Sequence, residues 1–307
     1  MSDAGNEIKA FKTWWSALVA EQAKAPPSLA DQRRTFDAIH GAVPLPDGCE
    51  VTPIISGSVR GELIVPKHAD RSKALVYHHG GGFTFGSALS HRHMVARIAE
   101  AAGVVAFNMD YRLAPEHPYP AALNDARENY RYVLDQGFAA SRVVVAGESA
   151  GGNLTAALLL ALRDNDQPLP AAADLLSPWL DLAQQGDSYE ARRECDPMIT
   201  RQALDFCSMV YRVGLSVDNP YISPLKGDLS GLPPMFIQVG SDEVLLSDSL
   251  ELTRSAALSG RDVRVHVWPE MVHAWPLFHT ALPTAGLKAI KEAGEWIAAQ
   301  LGAPSKL

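Results

Sequence analysis

Short apolar runs alternate with longer amphipathic stretches over most of the chain. "ALVYHH" (74–79), "GVVAFNMDY" (103–111) and "RVVVAGE" (142–148) are rich in β-branched residues and apolar on both faces. Strands of that kind need a cover on each side, which is the condition of a central parallel strand. "AADLLSPWL" (172–180), "PMFIQVG" (234–240) and "VRVHVWP" (263–269) continue the series, and "GELIVPK" (61–67) reads as an earlier antiparallel strand. Helical spacing fills the intervals at 91–102, 121–137, 149–164, 247–260 and 286–301. The alternation predicts an α/β fold with a mostly parallel central sheet and helices on both faces.

Two stretches break the alternation. Residues 1–45 hold a helix-like segment with Trp14 and Trp15, then a proline-containing connection. Residues 182–215 are polar and helical in character ("RQALDFCSMVYRVG") and fall between two sheet strands. Both are expected to pack together over the sheet as a helical cap. The expected division is an N-terminal cap segment at 1–45 and one large domain at 46–307, interrupted by a cap insertion at about 182–215. No internal repeat or low-complexity tract is present.

Composition narrows the class. A chain of 307 residues with 47% hydrophobic and 20% charged residues suits a soluble globular protein with a sizeable core. The net charge of −8 argues against nucleic acid and against anionic membrane as partners. The three cysteines, Cys49, Cys195 and Cys207, are widely spaced and form no C-x-x-C pair, which suggests reduced thiols and a cytoplasmic location. "MSDAGNEIKAFKTWW" has no apolar core of a signal peptide, and "LTAALLLALR" is short enough to be a buried helix.

The candidate chemistry starts at "VVVAGESAGGN". It contains G-x-S-x-G, with Ser149 between an apolar strand and a helix pattern, the context of a nucleophile elbow. A serine hydroxyl needs a base, and the base needs an orienting acid. Ten histidines are available. His40, His68, His91, His93, His117 and His279 have the helix or loop contexts of solvated or structural side chains, and His266 lies within a strand. His273 follows the last strand and precedes the terminal helix, where a base belongs if the chain order is Ser, acid, His. The acid should follow "PMFIQVG", in "SDEVLLSDS". Asp242, Glu243 and Asp248 all qualify by type. Asp248 reads as a surface or first-turn helix residue, and residue type does not separate Asp242 from Glu243.

"VYHHGGGFTFG" (76–86) sets three glycines directly after a strand. An acyl-transfer oxyanion needs backbone N–H groups at close range, and a Cβ would obstruct them. The glycine loop suits that role, and the N–H of Ala150 would complete the hole. The stretch lacks the Lys-Ser/Thr ending of a phosphate loop and fails G-x-G-x-x-G spacing.

Taken together, "HHGGGFTFGS", "DYRLAPEHPYPAAL", "VAGESAGGNL", "LLSPWLDL", "NPYISPL", "GLPPMFIQVGSDEVLLSDS" and "EMVHAWPLF" resemble, in order, the bacterial hormone-sensitive-lipase-like esterases of the α/β-hydrolase fold. The resemblance covers about residues 60–300. It implies Ser149 as nucleophile, His273 as base, and Gly81 and Gly82 as oxyanion donors with Ala150. His79 would fix the loop and His78 would end the strand. Aligning on Leu245 puts Glu243 at the acid position, with Asp242 as the substitute. Glu148 would brace neighbouring loops, and Asp110, Arg112 and Glu116 would form an ion-pair network holding the oxyanion loop. The implied activity is hydrolysis of short- to medium-chain esters without metal or organic cofactor, acting on a small-molecule ester, with a homodimer as one form the family takes. Trp14, Trp15, Phe83, Phe85, Met198, Tyr211 and Trp275 are candidate pocket walls. Lactone hydrolysis and small-molecule deacetylation share the mechanism. A non-catalytic receptor of this fold should lack a triad member, and all three positions here are filled.

Overall fold

The structure is a computed structural model that describes residues 3–302. Residues 1, 2 and 303–307 of the expected end segments lie outside the described residues. The chain opens with helices α1 (Asp3–Lys24) and α2 (Leu29–Gly41). Pro26 and Pro27 separate them, and Ser28 caps α2 by accepting the Asp31 N–H. The expected connection after α1 is therefore itself a helix.

A hairpin follows, β1 (Glu50–Ser56) and β2 (Val59–Val65). Next come β3 (Asp70–His78), α3 (Ala88–Ala102), β4 (Val104–Met109), α4 (Ala121–Asp135) and β5 (Val143–Glu148). Helix α5 (Ala150–Asp164) and β6 (Ala172–Leu176) lead to a short α6 (Ser188–Ala191) and to α7 (Arg201–Arg212). The chain closes with β7 (Met235–Gly240), α8 (Leu246–Leu258), β8 (Val263–Trp268) and α9 (Pro283–Gly302).

The strands form one eight-stranded sheet in the order β1-β2-β4-β3-β5-β6-β7-β8. The pairs β1/β2 and β2/β4 are antiparallel and the others parallel. Strand β1 was not expected. It carries Pro53, which cannot donate to a ladder, and it lies at the sheet edge where that is tolerated.

The pleat divides the core into two. Val143 and Val145 point to the face covered by α4, α5 and α8, while Val144 and Ala146 point to the face covered by α3 and α9. Helix α1 joins the second face through Ile8 and Phe11, with Phe11 and Phe278 ring centroids 5.2 Å apart. Helix α7 joins the first through Leu204, Cys207 and Tyr211. Among the described residues no helix is long and apolar enough to cross a membrane.

Two expectations need correction here. Trp275 is fully buried against Trp268, at 5.6 Å between centroids, so it is core and not a pocket wall. Asp248 lies in the first turn of α8 but is buried. Its Oδ2 accepts the N–H groups of Leu180 (2.7 Å) and Asp181 (2.9 Å), and the Tyr189 hydroxyl donates to it at 3.0 Å. The carboxyl thereby ties the segment after β6 to α8, although burial pushes it up to about 7. Asp248→Ala leaves two buried N–H donors unpaired. It is expected to lower unfolding free energy by on the order of 3 kcal/mol in denaturant titration, and Asp248→Asn by less. A loss within error for Asp248→Ala would mean these bonds stabilise nothing.

Candidate active site

Ser149 joins β5 to α5 with φ 57° and ψ −120°, left-handed backbone that a residue with a Cβ rarely adopts. Main-chain bonds on both sides hold it there. Its N–H donates to Leu176 O at 2.9 Å, and its carbonyl accepts from Trp179 N and Asn153 N, each at 3.0 Å. The turn also brings the start of α5 under the end of β3. A Cβ on Gly151 would collide with the His78 and His79 carbonyls, so only glycine fits there.

The loop after β3 lies directly over this turn. Gly81 and Gly82 have φ of 104° and 60°. A side chain on Gly81 would run into the Phe85 carbonyl, and a Cβ on Gly82 would sit 2.7 Å from Cys207 Sγ of α7. Among the described residues no acceptor takes the N–H of Gly81 or Gly82. Ala150 contributes the first N–H of α5, a position without a partner one turn earlier.

Buried polar groups hold the loop from below. Glu148 Oε2 accepts Gly80 N at 2.7 Å and lies 3.0 Å from His91 Nε2. Burial would raise the Glu148 carboxyl, but His91, His273 and the Gly80 N–H hold it net below its ordinary value. The Tyr111 hydroxyl donates to His79 O at 2.8 Å, and the two rings stack at 4.2 Å. His79 Nδ1 donates to Gly80 O at 2.7 Å, and burial pushes its pKa to about 4. A neutral, stacked imidazole whose Nδ1 proton is held by Gly80 O fixes the loop and takes no part in proton transfer.

The three acids that residue type left open go to three different places. Asp248 is the staple described above. Asp242 turns outward and pairs with Lys12 of α1. Glu243 is fully buried, and its Oε2 lies 3.0 Å from His273 Nδ1. Its Oε1 accepts Gly240 N (2.6 Å) and the Ser177 hydroxyl (2.7 Å). With Nδ1–H donating to the carboxylate, Nε2 of His273 carries the free lone pair. Burial alone would lower the His273 pKa. The bond to Glu243 and the charges of Glu243, Asp196 and Glu148 raise it above its ordinary value.

Two neighbours escaped the sequence reading. Ser177, just after β6, donates to Glu243 and accepts Ala274 N at 3.2 Å, so it links the acid to the histidine loop. Asp196 is buried and accepts Met198 N (2.9 Å), Ile199 N (3.2 Å) and Val244 N (3.1 Å), which ties the 182–215 segment to the acid loop. The available signals were a serine at the carboxyl end of a central strand and an Asp-Pro turn. The expected network of Asp110, Arg112 and Glu116 does not form. Asp110 accepts Ala88 N at 2.7 Å, Arg112 pairs with Asp125 at 2.6 Å, and Glu116 pairs with Arg33 at 2.8 Å. Of the candidate walls, Phe83 and Tyr211 stack at 3.7 Å, Phe85 packs on Phe36, Trp14 is exposed and Trp15 packs on Phe278. No cluster of three or more metal-ligating side chains occurs among the described residues.

Residues 75–277 match a family profile described as the alpha/beta hydrolase fold. An acetyl-hydrolase of Streptomyces hygroscopicus is 41% identical over 262 residues, 85% of this chain and 86% of that protein. A carboxylesterase of Mycobacterium tuberculosis is 31% identical over 287 residues, 89% of this chain and 86% of that protein. The crystal structure of an esterase from the bacterial hormone-sensitive lipase family superposes with a TM-score of 0.90 at 37% identity, covering 97% of this chain and 99% of that one. The profile spans most of the sheet, and the relatives, an acetyl-hydrolase, a carboxylesterase and an esterase, span most of the chain. The chain accordingly belongs to the hormone-sensitive-lipase-like branch of the α/β-hydrolases and is a serine carboxylesterase.

Proposed function

We propose that Ser149 is the nucleophile of this esterase, His273 its general base and Glu243 the orienting acid. The observation that carries this reading is the buried Glu243–His273 pair, 3.0 Å apart, in a protein that belongs to an esterase family. The Ser149 hydroxyl attacks the ester carbonyl and its proton passes to His273 Nε2. The carbonyl oxygen becomes an oxyanion held by the N–H groups of Gly81, Gly82 and Ala150. Collapse breaks the bond to the alcohol, which takes the proton from His273 and leaves an acyl-enzyme. Water then attacks the acyl carbon and gives its proton to His273. The acid departs, and the proton returns to Ser149. Glu243 stays ionised throughout and stabilises the imidazolium.

Residues 1–45 and about 182–215 serve in this reading as the cap over the site, and 46–307 as the catalytic domain. The substrate is a small ester with a short- to medium-chain acyl group. Support comes from α7, which packs Cys207 against Gly82 and Tyr211 against Phe83 and so leaves little room on that side of the loop. Identity of 41% to an acetyl-hydrolase favours a second reading of the same chemistry, deacetylation of a small molecule. Free thiols at Cys49, Cys195 and Cys207 support a cytoplasmic setting, and the free edge of β8 is a surface on which a homodimer could form.

Hydrolysis of p-nitrophenyl esters of rising acyl length tests the reading. Ser149→Ala is expected to reduce kcat by at least about 10⁴-fold with folding intact, and retained activity would remove Ser149 from the mechanism. The strained turn makes a separate claim on stability. Ser149→Gly should exceed Ser149→Ala in unfolding free energy by about 1 kcal/mol, and equal stabilities would mean the turn stores no strain.

The base must be neutral to accept a proton, so activity rises as pH rises through the His273 pKa. That pKa lies above the ordinary 6.5, and kcat/KM at pH 6 should be well below its plateau. Glu243→Gln removes the charge that raises the pKa. The inflection should move to lower pH while the plateau falls by roughly 10³- to 10⁴-fold. An unchanged inflection would place the governing charge elsewhere.

A further inference from the structure

The glycine loop is held from below by Glu148 and Tyr111, and Arg33 of α2 adds hydrogen bonds to it from the N-terminal helices. Its Nε donates to Thr84 O at 2.7 Å, and its Nη2 donates to Ala114 O at 2.9 Å. Nη1 and Nη2 both reach the Glu116 carboxylate at 2.8 Å. Thr84 stands two residues beyond Gly82, and its N–H closes the turn on Gly81 O at 2.9 Å. Ala114 N donates to Phe83 O at 2.9 Å. The guanidinium therefore spans a main-chain pairing between the glycine loop and the "RLAPEH" segment and binds a carbonyl on each side of it.

That pattern differs from a helix tether. An ion pair to Glu116 alone would anchor α2 to the body. Here one donor goes to a carbonyl of the glycine loop, Thr84 O, and another to a carbonyl of the segment paired with it, Ala114 O, and a rigid planar fork fixes both at once. Arg33 also holds the Glu116 carboxyl down at about 2, so the pair stays charged at any pH where His273 can act. Lysine would keep the charge but could not satisfy two carbonyls and a bidentate carboxylate together.

We propose that Arg33 is a positioning residue that sets the geometry of the oxyanion loop from the N-terminal helices, and so makes α2 a working part of the active site. The inference rests on the proposed mechanism, with Ser149 as nucleophile and Gly81 and Gly82 as oxyanion donors. A group that sharpens those donors acts on the transition state more than on the bound ester, so its removal should lower kcat and leave KM nearly unchanged.

The test compares Arg33→Ala, Arg33→Lys and Glu116→Gln with the full-length wild type. Three readouts are used: steady-state kinetics on p-nitrophenyl butyrate, inhibition by an alkylboronic acid, and thermal unfolding. A boronic acid adds to the serine oxygen as a tetrahedral adduct and so probes the oxyanion hole directly. Arg33→Ala is expected to lose about 10- to 100-fold in kcat, less than the 10²- to 10³-fold typical of deleting a donor outright. KM should stay within about twofold, and boronate affinity should fall in parallel with kcat. Arg33→Lys should recover part of kcat, and Glu116→Gln should lose less than Arg33→Ala. If Arg33→Ala does not fold, the Arg33→Lys and Glu116→Gln variants carry the same comparison.

A fall in unfolding temperature with kcat and boronate affinity unchanged would overturn the proposal and leave Arg33 a tether. A rise in KM alone would overturn it too, and would assign Arg33 to substrate access. Failure of the underlying reading looks different, because boronate would then bind wild type and Ser149→Ala alike.

Discussion

The left-handed turn at Ser149 is the constraint from which the rest of the site follows. A serine there is stable only if its neighbours over-determine it. Leu176 and Trp179 do so through main-chain bonds, which brings the end of β6 beside the turn. Ser177 follows immediately and reaches Glu243, and Glu243 reaches His273. On the other side, Gly151 packs so closely that the His78 and His79 carbonyls rest against the start of α5. The loop of Gly80, Gly81 and Gly82 then begins just above the serine. One strained residue thus aligns three separate chain segments.

The surroundings use one device repeatedly: a buried carboxylate that accepts main-chain N–H groups from another segment. Glu148 takes Gly80, Asp196 takes Val244, and Asp248 takes Leu180 and Asp181. Burying an acid is unfavourable unless such donors meet it. The same donors fix loops that have little hydrophobic surface to hold them. Three buried imidazoles, His40, His93 and His279, are neutral fillers by comparison. His93 Nδ1 lies 3.0 Å from His279 Nε2, His40 stacks on His93, and burial lowers all three pKa values.

Much of this was legible in the sequence. Runs without a polar face marked the central strands, because only strands covered on both sides tolerate them. The serine turn, the glycine loop and the late histidine stood out because their chemistry demands particular residue types at particular positions. What stayed hidden depends on partners distant in the chain. Asp242 and Glu243 have the same charge, so residue type left them open and only the family resemblance favoured Glu243; in the fold, Lys12 on one side and His273 on the other tell them apart. Arg112 and Glu116 sit four positions apart, yet their partners are Asp125 and Arg33. Helix α2 escaped because two prolines precede it and few of its residues are apolar, so its amphipathic stripe is weak. Trp275 misled because closeness to His273 along the chain says nothing about which way a ring points.

The docking of α1 has a consequence for synthesis. Phe11 rests on Phe278, and Glu7 accepts from the Thr284 hydroxyl, 277 positions further along the chain. A growing chain emerges from the ribosome amino end first. Helix α1 must wait, without its apolar cover, until that distant segment is out. Phe278 lies only five positions beyond His273. The segment that gives α1 its seat therefore arrives together with the imidazole, and a nascent chain short of it has neither the seated helix nor the base.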